Sequence, residues 1–474
     1  MLFFIGVFFI YWLSLRNSTK AQNVFLLVAS YFFYGYADWK MLPLLVVATM
    51  VFFFLGQWIS RTESKKHASW LTALGVALGV GLLLYFKYLN FFIVSFSHLF
   101  EHMGLHTNWH TFNIIMPLGI SFFTFKLISY VVEIHRGKME STNDFVEFAT
   151  YIAFFPCILS GPIDRPQFIS QLKTKRVFNY DIAVDGMRQI LWGLFKKVVV
   201  ADNCATYVDQ VWDTIGTQTG STLMLAAVLY LFQIYADFSG YSDMAIGVGK
   251  LLGFRIADNF KTPLFALNIA DYWRRWHITL TQWLTDYVFM PLNVRLRNWG
   301  KWGMAVSIVV TFFLIGLWHG ANWTFAVFGL YHGLLYIPLI VSGAFMKKAK
   351  LKTNRFGLPV LKDFGRMLLT FVLVTIGLII FRAENIMQTW EYLCGIFGNS
   401  LFSIPWLKDR IYYIPQLLFI SIMLITEWVQ RKEQHGLVLN AVHSKWVRYI
   451  IYAFLLMMMI WVGGQAETYI YFQF

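Results

Sequence analysis

A chain of 474 residues with 58% hydrophobic and 14% charged side chains departs from soluble domains, which run at about 45–50% apolar and 25% charged, and this argues against a string of soluble domains of about 150 residues each. Its 39 Lys and Arg against 25 Asp and Glu give a net charge of +14, but 19% aromatic residues and a mean hydropathy of +0.56 leave too little polar surface for a nucleic-acid binder. The positive charge is therefore assigned to anionic lipid headgroups and cytoplasmic loops of an integral membrane protein.

In chain order, Met1 to Leu15 is apolar, with no basic segment before it and no small-residue cleavage site behind it. It reads as a retained span rather than a signal peptide. Apolar stretches follow at roughly 22–36, 41–60, 69–97, 112–132, 147–160, 221–236, 302–320, 322–345, 367–381, 411–426 and 449–463. A crossing helix needs about 20 such residues, so several are too short to cross alone, and ten to twelve membrane segments, some re-entrant, are expected. No internal period is visible, which weakens an inverted-repeat transporter reading. Basic clusters at Arg61 to Lys66, Lys173 to Arg176 and Lys347 to Arg355 are placed on the cytoplasmic side. With the first inside after three spans, the N-terminus lies outside.

His98, His102, His106 and His110 recur every four residues, a spacing that stacks imidazoles on one helical face. Gly104 interrupts that helix and no cysteine joins the set, so an exposed external loop is preferred to a metal site. Cys157, Cys204 and Cys394 are far apart and indicate neither a disulfide framework nor a thiolate site. Residues 173–300 mix Trp and Phe with paired cations. Trp192 and Phe195 beside Lys196 and Lys197 suggest an amphipathic helix in the headgroup plane, with ordinary loop helices as the alternative.

Four stretches could carry chemistry. In Ser160-Gly161-Pro162-Ile163-Asp164-Arg165 a turn after a span suffices, with Arg165 snorkelling. Gln233 to Asp243 places Asp237 and Asp243 near membrane depth, where each carboxylate costs about 2.5–3.5 kcal/mol and so needs a polar cavity or a cation; Gly240 would let the backbone bend. Alternatively both cap helix ends at an interface. In the third, Trp273, Trp276, His277, Leu280 and Leu284 fall on one face of a helix capped by Asn268, which puts His277 on the apolar side. From Trp302 to Met346 there is no Asp, Glu, Lys or Arg, and His319 and His332 are the ionisable groups near neutrality. The run breaks at Trp318-His319-Gly320-Ala321-Asn322-Trp323. If both arms cross fully, His319 lies at the outer interface; if the first stops short, it lies within the membrane. Either His319 is a functional group at depth, or Trp318 and Trp323 form an aromatic belt beside a bystander imidazole. For His332 a satisfied core histidine explains the residue as well.

Tyr235-Ala-Asp-Phe-Ser-Gly-Tyr-Ser-Asp-Met-Ala-Ile-Gly247, Tyr272-Trp-Arg-Arg-Trp-His277-Ile-Thr-Leu, Gly316-Leu-Trp-His319-Gly-Ala-Asn-Trp323 and Tyr471-Phe-Gln-Phe474 together resemble the membrane-bound O-acyltransferases. The nearest branch is the bacterial alginate and peptidoglycan O-acetyltransferases, with the D-alanyl transfer protein of teichoic acid as a cousin. The similarity covers most of the chain and is strongest from about 117 to 335. It implies an all-α polytopic protein, residues 1–474 forming one membrane domain of about eleven transmembrane helices plus re-entrant and interfacial helices around a central funnel. It also implies a bacterial cytoplasmic (inner) membrane location and an acetyl group passed outward for O-acetylation of an exported or cell-wall polysaccharide. His319 would be the general base and His277 would position or polarise the reacting groups. Asp237, Asp243, Trp276, Trp318, Asn322 and Arg165 would shape the cavity. No tightly bound cofactor or metal is expected; acetyl-CoA or an acyl carrier protein thioester would be the donor, and an extracytoplasmic esterase-like acyltransferase the partner. D-alanyl transfer to teichoic acid and, in another class, a proton- or ion-coupled transporter remain open alternatives.

Overall fold

The structure is a computed structural model that describes residues 2–105, 109–347, 349–405, 410–463 and 467–470, with the backbone alone for 410–415. Among the described residues the protein is helical and contains no β-strand. Within those described residues seven helices are long and apolar enough to cross a membrane, and Leu2–Ser14, Phe145–Cys157 and Gln416–Val429 are shorter apolar segments. The protein is therefore all-α and polytopic. The chain divides into two compact units, residues 1–187 with 245–257, and residues 188–244 with 258–474.

In the first unit the helices Leu42–Arg61 and Lys65–Leu83 pack on Ile120–His135, which is buried along most of its length. Glycines set the approach. A Cβ added at Gly56 would sit 2.3 Å from the Tyr130 ring and one at Gly79 2.6 Å from Ile128, so only the smallest residue allows these helices to meet, as is common between apolar helices that gain little from burial alone. Ile120–His135 follows Gly119 (φ 68°) and starts eight residues later than the expected apolar run, because Pro117 cannot donate a helical hydrogen bond. The segment 154–166 is a mostly buried turn. The carbonyl of Asp164 accepts from the Tyr151 hydroxyl at 3.1 Å and its carboxylate from the Ala257 amide at 3.3 Å, while Arg165 is half-buried. His98 and His102 lie on Leu89–His102, which ends before Gly104 (φ 77°). His110 lies outside that helix, and His106 lies outside the described residues.

In the second unit the Gly300–His319 and Trp323–Leu335 helices form a close hairpin. A Cβ on Gly316 would stand 2.1 Å from the Phe325 carbonyl oxygen, and one on Gly329 2.3 Å from that of Phe312. The Gly220–Leu251 helix continues without a break past Asp237 and Asp243, contrary to the bend expected at Gly240. Gly240 instead meets Gly193 backbone to backbone, its missing Cβ 2.8 Å from the Gly193 carbonyl oxygen.

That contact corrects the reading of Lys196 and Lys197 as headgroup-plane cations. Both are buried, as are Trp192 and Phe195. They sit on a π-helical stretch, Phe195–Ala201, whose wider turn is typical of places where a helix serves a local need. Lys196 Nζ lies 2.6 Å from Asp243 and 2.9 Å from Ser239, and Lys197 Nζ lies 2.7 Å from Asp237 and 2.8 Å from Asp202. The carboxylates that needed a cation have lysines from the neighbouring helix, and the Gly193–Gly240 approach brings the two helices close enough for these pairs. Gly240→Ala is expected to force the helices apart and cost about 1–3 kcal/mol, read as a lower melting temperature in detergent. Gly6→Ala, where a Cβ meets nothing within 4 Å, should leave it unchanged.

Candidate active site

The expected continuous helix from Asn268 through Leu284 is broken in two, Ile269–Trp273 and Ile278–Leu284. The break falls at His277, whose φ of 42° and ψ of 53° place it in the left-handed region, where a non-glycine residue persists only if its surroundings hold it. Those surroundings centre on Asn259. Its carbonyl accepts from the Ile278 amide at 2.9 Å, and the Arg275 carbonyl accepts from the Lys261 amide at 2.9 Å, so the 259–261 segment pins the turn. The Asn259 side-chain Oδ1 accepts from the Thr279 amide at 3.3 Å and the Thr279 hydroxyl at 2.8 Å, and lies 3.1 Å from His277 Nδ1. Its Nδ2 donates to the Ser242 hydroxyl at 3.2 Å. The apolar-face reading survives as burial only: Trp273, Trp276, His277, Leu280 and Leu284 are all buried, but along a turn rather than one helical stripe.

His319 is the last residue of Gly300–His319 and is 4% exposed. The 20-residue helix spans about 30 Å at 1.5 Å per residue. His277 and His319, 42 positions apart in sequence, pack against the same indole: ring centroids lie 5.5 Å apart for His277 and Trp318 and 5.0 Å for Trp318 and His319. Phe381 and Phe328 close on His319 at 5.1 and 6.0 Å. A cavity of about 10 Å³ borders His319, Trp276, Trp273 and His332, the space of a single water site. His332 Nδ1 accepts from the Trp273 indole N–H at 3.3 Å, as a satisfied core histidine does.

The description MBOAT, membrane-bound O-acyltransferase family, matches residues 28–375. The chain belongs to the membrane-bound O-acyltransferase family. It is 36% identical to the Probable alginate O-acetylase AlgI of Azotobacter vinelandii, over 83% of this chain and 75% of that protein. It is 34% identical to the peptidoglycan O-acetyltransferase of Helicobacter pylori, over 79% and 74%. Identity to the teichoic acid D-alanyltransferase of Bacillus subtilis is 32%, over 57% and 70%. The protein is thus a multi-pass membrane acyltransferase.

For an O-acyltransferase the placement of the expected site residues is informative. His319, His277, Trp318 and Trp276 come together. Asn322 caps Trp323–Leu335, accepting from the Thr324 amide at 3.1 Å, and donates to the Glu384 carbonyl at 2.7 Å, so it fastens the hairpin loop that follows His319. Asp237 and Asp243 are engaged by lysines, and Asp237 also accepts from the Ile470 amide at 2.9 Å. Arg165 belongs to the first unit. The terminal Tyr471 to Phe474 motif lies outside the described residues. Sequence reasoning missed Asn259: Asp258-Asn259-Phe260 carries no periodic signal, and its partners are 17 to 20 residues away.

Burial, and after it the neighbouring His319 imidazole, hold His277 well below the ordinary histidine value of 6.5. The unfolded chain takes up a proton there as pH falls through about 6.5 while the folded chain keeps the ring neutral. The unfolded state then binds more protons, so stability is intact above that pH and lost on acidification. Wild type should therefore lose melting temperature more steeply than His277→Gln between about pH 7.5 and 5.5; parallel slopes in thermal scans would contradict a neutral His277.

Proposed function

We propose that the protein transfers an acetyl group from a cytosolic thioester, acetyl-CoA or an acyl carrier protein, outward across the bacterial inner membrane for O-acetylation of an exported or cell-wall polysaccharide. The N-terminus lies outside, and an extracytoplasmic esterase-like acyltransferase completes delivery to the glycan. The names of the similar alginate and peptidoglycan O-acetyltransferases support the substrate class. The observation that carries the assignment of the centre is the convergence of two buried imidazoles on one indole at the end of a membrane-length helix.

In this reading His319 takes the proton of an acceptor hydroxyl as the oxygen attacks the thioester carbonyl carbon. The C–O bond forms, the C–S bond breaks, and the departing thiolate recovers the proton from the His319 imidazolium. Such general base catalysis contributes roughly 10²–10⁴-fold. The apolar enclosure keeps both reactants from water, which would otherwise hydrolyse the thioester. Because the cavity beside His319 holds about one water, the reading requires aromatic side chains such as Phe381 to swing aside as substrate arrives.

Purified protein with its partner should move label from acetyl-CoA to a hydroxyl acceptor. His319→Ala should lower that transfer by about 100-fold or more while the melting temperature stays near wild type. Undiminished transfer by that variant would remove His319 as base. Transfer from a D-alanyl carrier-protein thioester with none from acetyl-CoA would replace acetylation by D-alanylation, the activity named for the Bacillus subtilis relative.

A further inference from the structure

The hydrogen bonds around Asn259 decide which nitrogen of His277 carries the proton. The Thr279 backbone N–H can only donate, so the Asn259 atom 3.3 Å from it is the carbonyl oxygen Oδ1. The same oxygen accepts the Thr279 hydroxyl at 2.8 Å, and the amide Nδ2, turned the other way, donates to Ser242 Oγ at 3.2 Å. The Thr279 N–H thus fixes the amide orientation without reference to the histidine, and the two hydroxyls, which can donate or accept, complete the same arrangement. His277 Nδ1 stands 3.1 Å from this oxygen, and an oxygen that can only accept requires Nδ1 to donate. A neutral imidazole has one N–H, so Nε2 holds the lone pair.

We infer that Asn259 is a positioning residue that locks His277 in the Nδ1–H tautomer, so that His277 serves acyl transfer as a hydrogen-bond or proton acceptor at Nε2 and not as a donor to the developing oxyanion. This rests on the acyl-transfer reading for the role, but not for the tautomer. The geometry gives the lock its rigidity. Asn259 is fully buried and Ser242 nearly so, and the same Oδ1 helps pin the left-handed turn at His277, so ring orientation and backbone strain are held by one group. A partner that fixes an imidazole in this way governs which nitrogen faces the reacting atoms. In a neutral His277 any stabilisation of the thioester oxyanion must come from other donors. His332, whose Nδ1 accepts from Trp273, is held in the opposite tautomer, with the proton on Nε2, the nitrogen that a Cβ added at Gly377 would approach within 2.5 Å.

The test is the ¹⁵N spectrum of histidine-labelled protein in lipid nanodiscs, with the His277 signals identified by their loss in His277→Gln. Wild type should show a protonated Nδ1 and an unprotonated Nε2 at His277; a protonated Nε2 there overturns the inference whatever the activity. Asn259→Ala should release the ring to the Nε2–H form and lower turnover at saturating donor by roughly 10- to 100-fold, the usual range for a lost orienting partner, with the KM for donor little changed. Asn259→Asp, which still accepts at Nδ1, should restore the tautomer and most of the turnover. Asn259→Ala that keeps both the Nδ1–H signal and full turnover, or Asn259→Asp no better than Asn259→Ala, contradicts the positioning role. Should Asn259→Ala fail to fold, the wild-type spectrum and the Asn259→Asp comparison still decide. Absence of acyl transfer by wild type with the Nδ1–H signal present would fail the acyl-transfer reading alone.

Discussion

A polar group removed from water must bring its partner with it, and this constraint organises the second unit. An unpaired carboxylate or ammonium in an apolar interior is several kcal/mol less stable than in water, and an unmet amide or imidazole costs about 1–3 kcal/mol. Lys196 and Lys197 therefore meet Asp243 and Asp237 across two helices that glycines let touch. His332 meets the Trp273 indole, and His277 meets Asn259. These pairings fix the helices around the imidazole pair to a degree that apolar packing alone, tolerant of sliding and repacking, would not. The same desolvation keeps His277 neutral and makes electrostatic interactions inside the enclosure stronger than in water.

Membrane class and the all-α fold were legible because they depend on composition and on apolar run length, which are local properties. The run 302–320 became Gly300–His319, and 41–60 became Leu42–Arg61. The reading of Asp237 and Asp243 as carboxylates in need of a cation was legible on the same grounds, since charge at depth is costly wherever it falls. What sequence did not reveal was long-range or backbone-specific. Gly240 suggested a bend because glycine weakens a helix, yet here the lack of a side chain serves contact with Gly193. Lys196 and Lys197 looked like interface residues because nothing local marks their partners on the Gly220–Leu251 helix, 40 or more positions away. The periodicity through His277 suggested one helix because the residues that break it, Asn259 and Lys261, act from outside the window.

The candidate site shows the same division. Trp318, His319 and Asn322 announced themselves as a break in an uncharged run, but the meeting of His319 with His277 at Trp318 is a property of the tertiary fold. Membership of the membrane-bound O-acyltransferase family supplies the class of reaction; the buried indole, the helix end and the strained turn at His277 show how this chain holds two imidazoles close together. The aromatic enclosure has a functional corollary. A ring wrapped by Trp318, Phe328 and Phe381 is protected from bulk water, so under the proposed function reactants would gain access by displacing side chains, and closure and catalysis would become parts of one event.

The most direct measurement is a cryo-electron microscopy structure of the protein with a non-hydrolysable thioether analogue of acetyl-CoA. The account predicts that the carbon standing in for the thioester carbonyl lies beside His319, with Phe381 or Trp276 rotated away from its present position. An analogue bound remote from both imidazoles, with the His319 ring still enclosed as it is here, would contradict it.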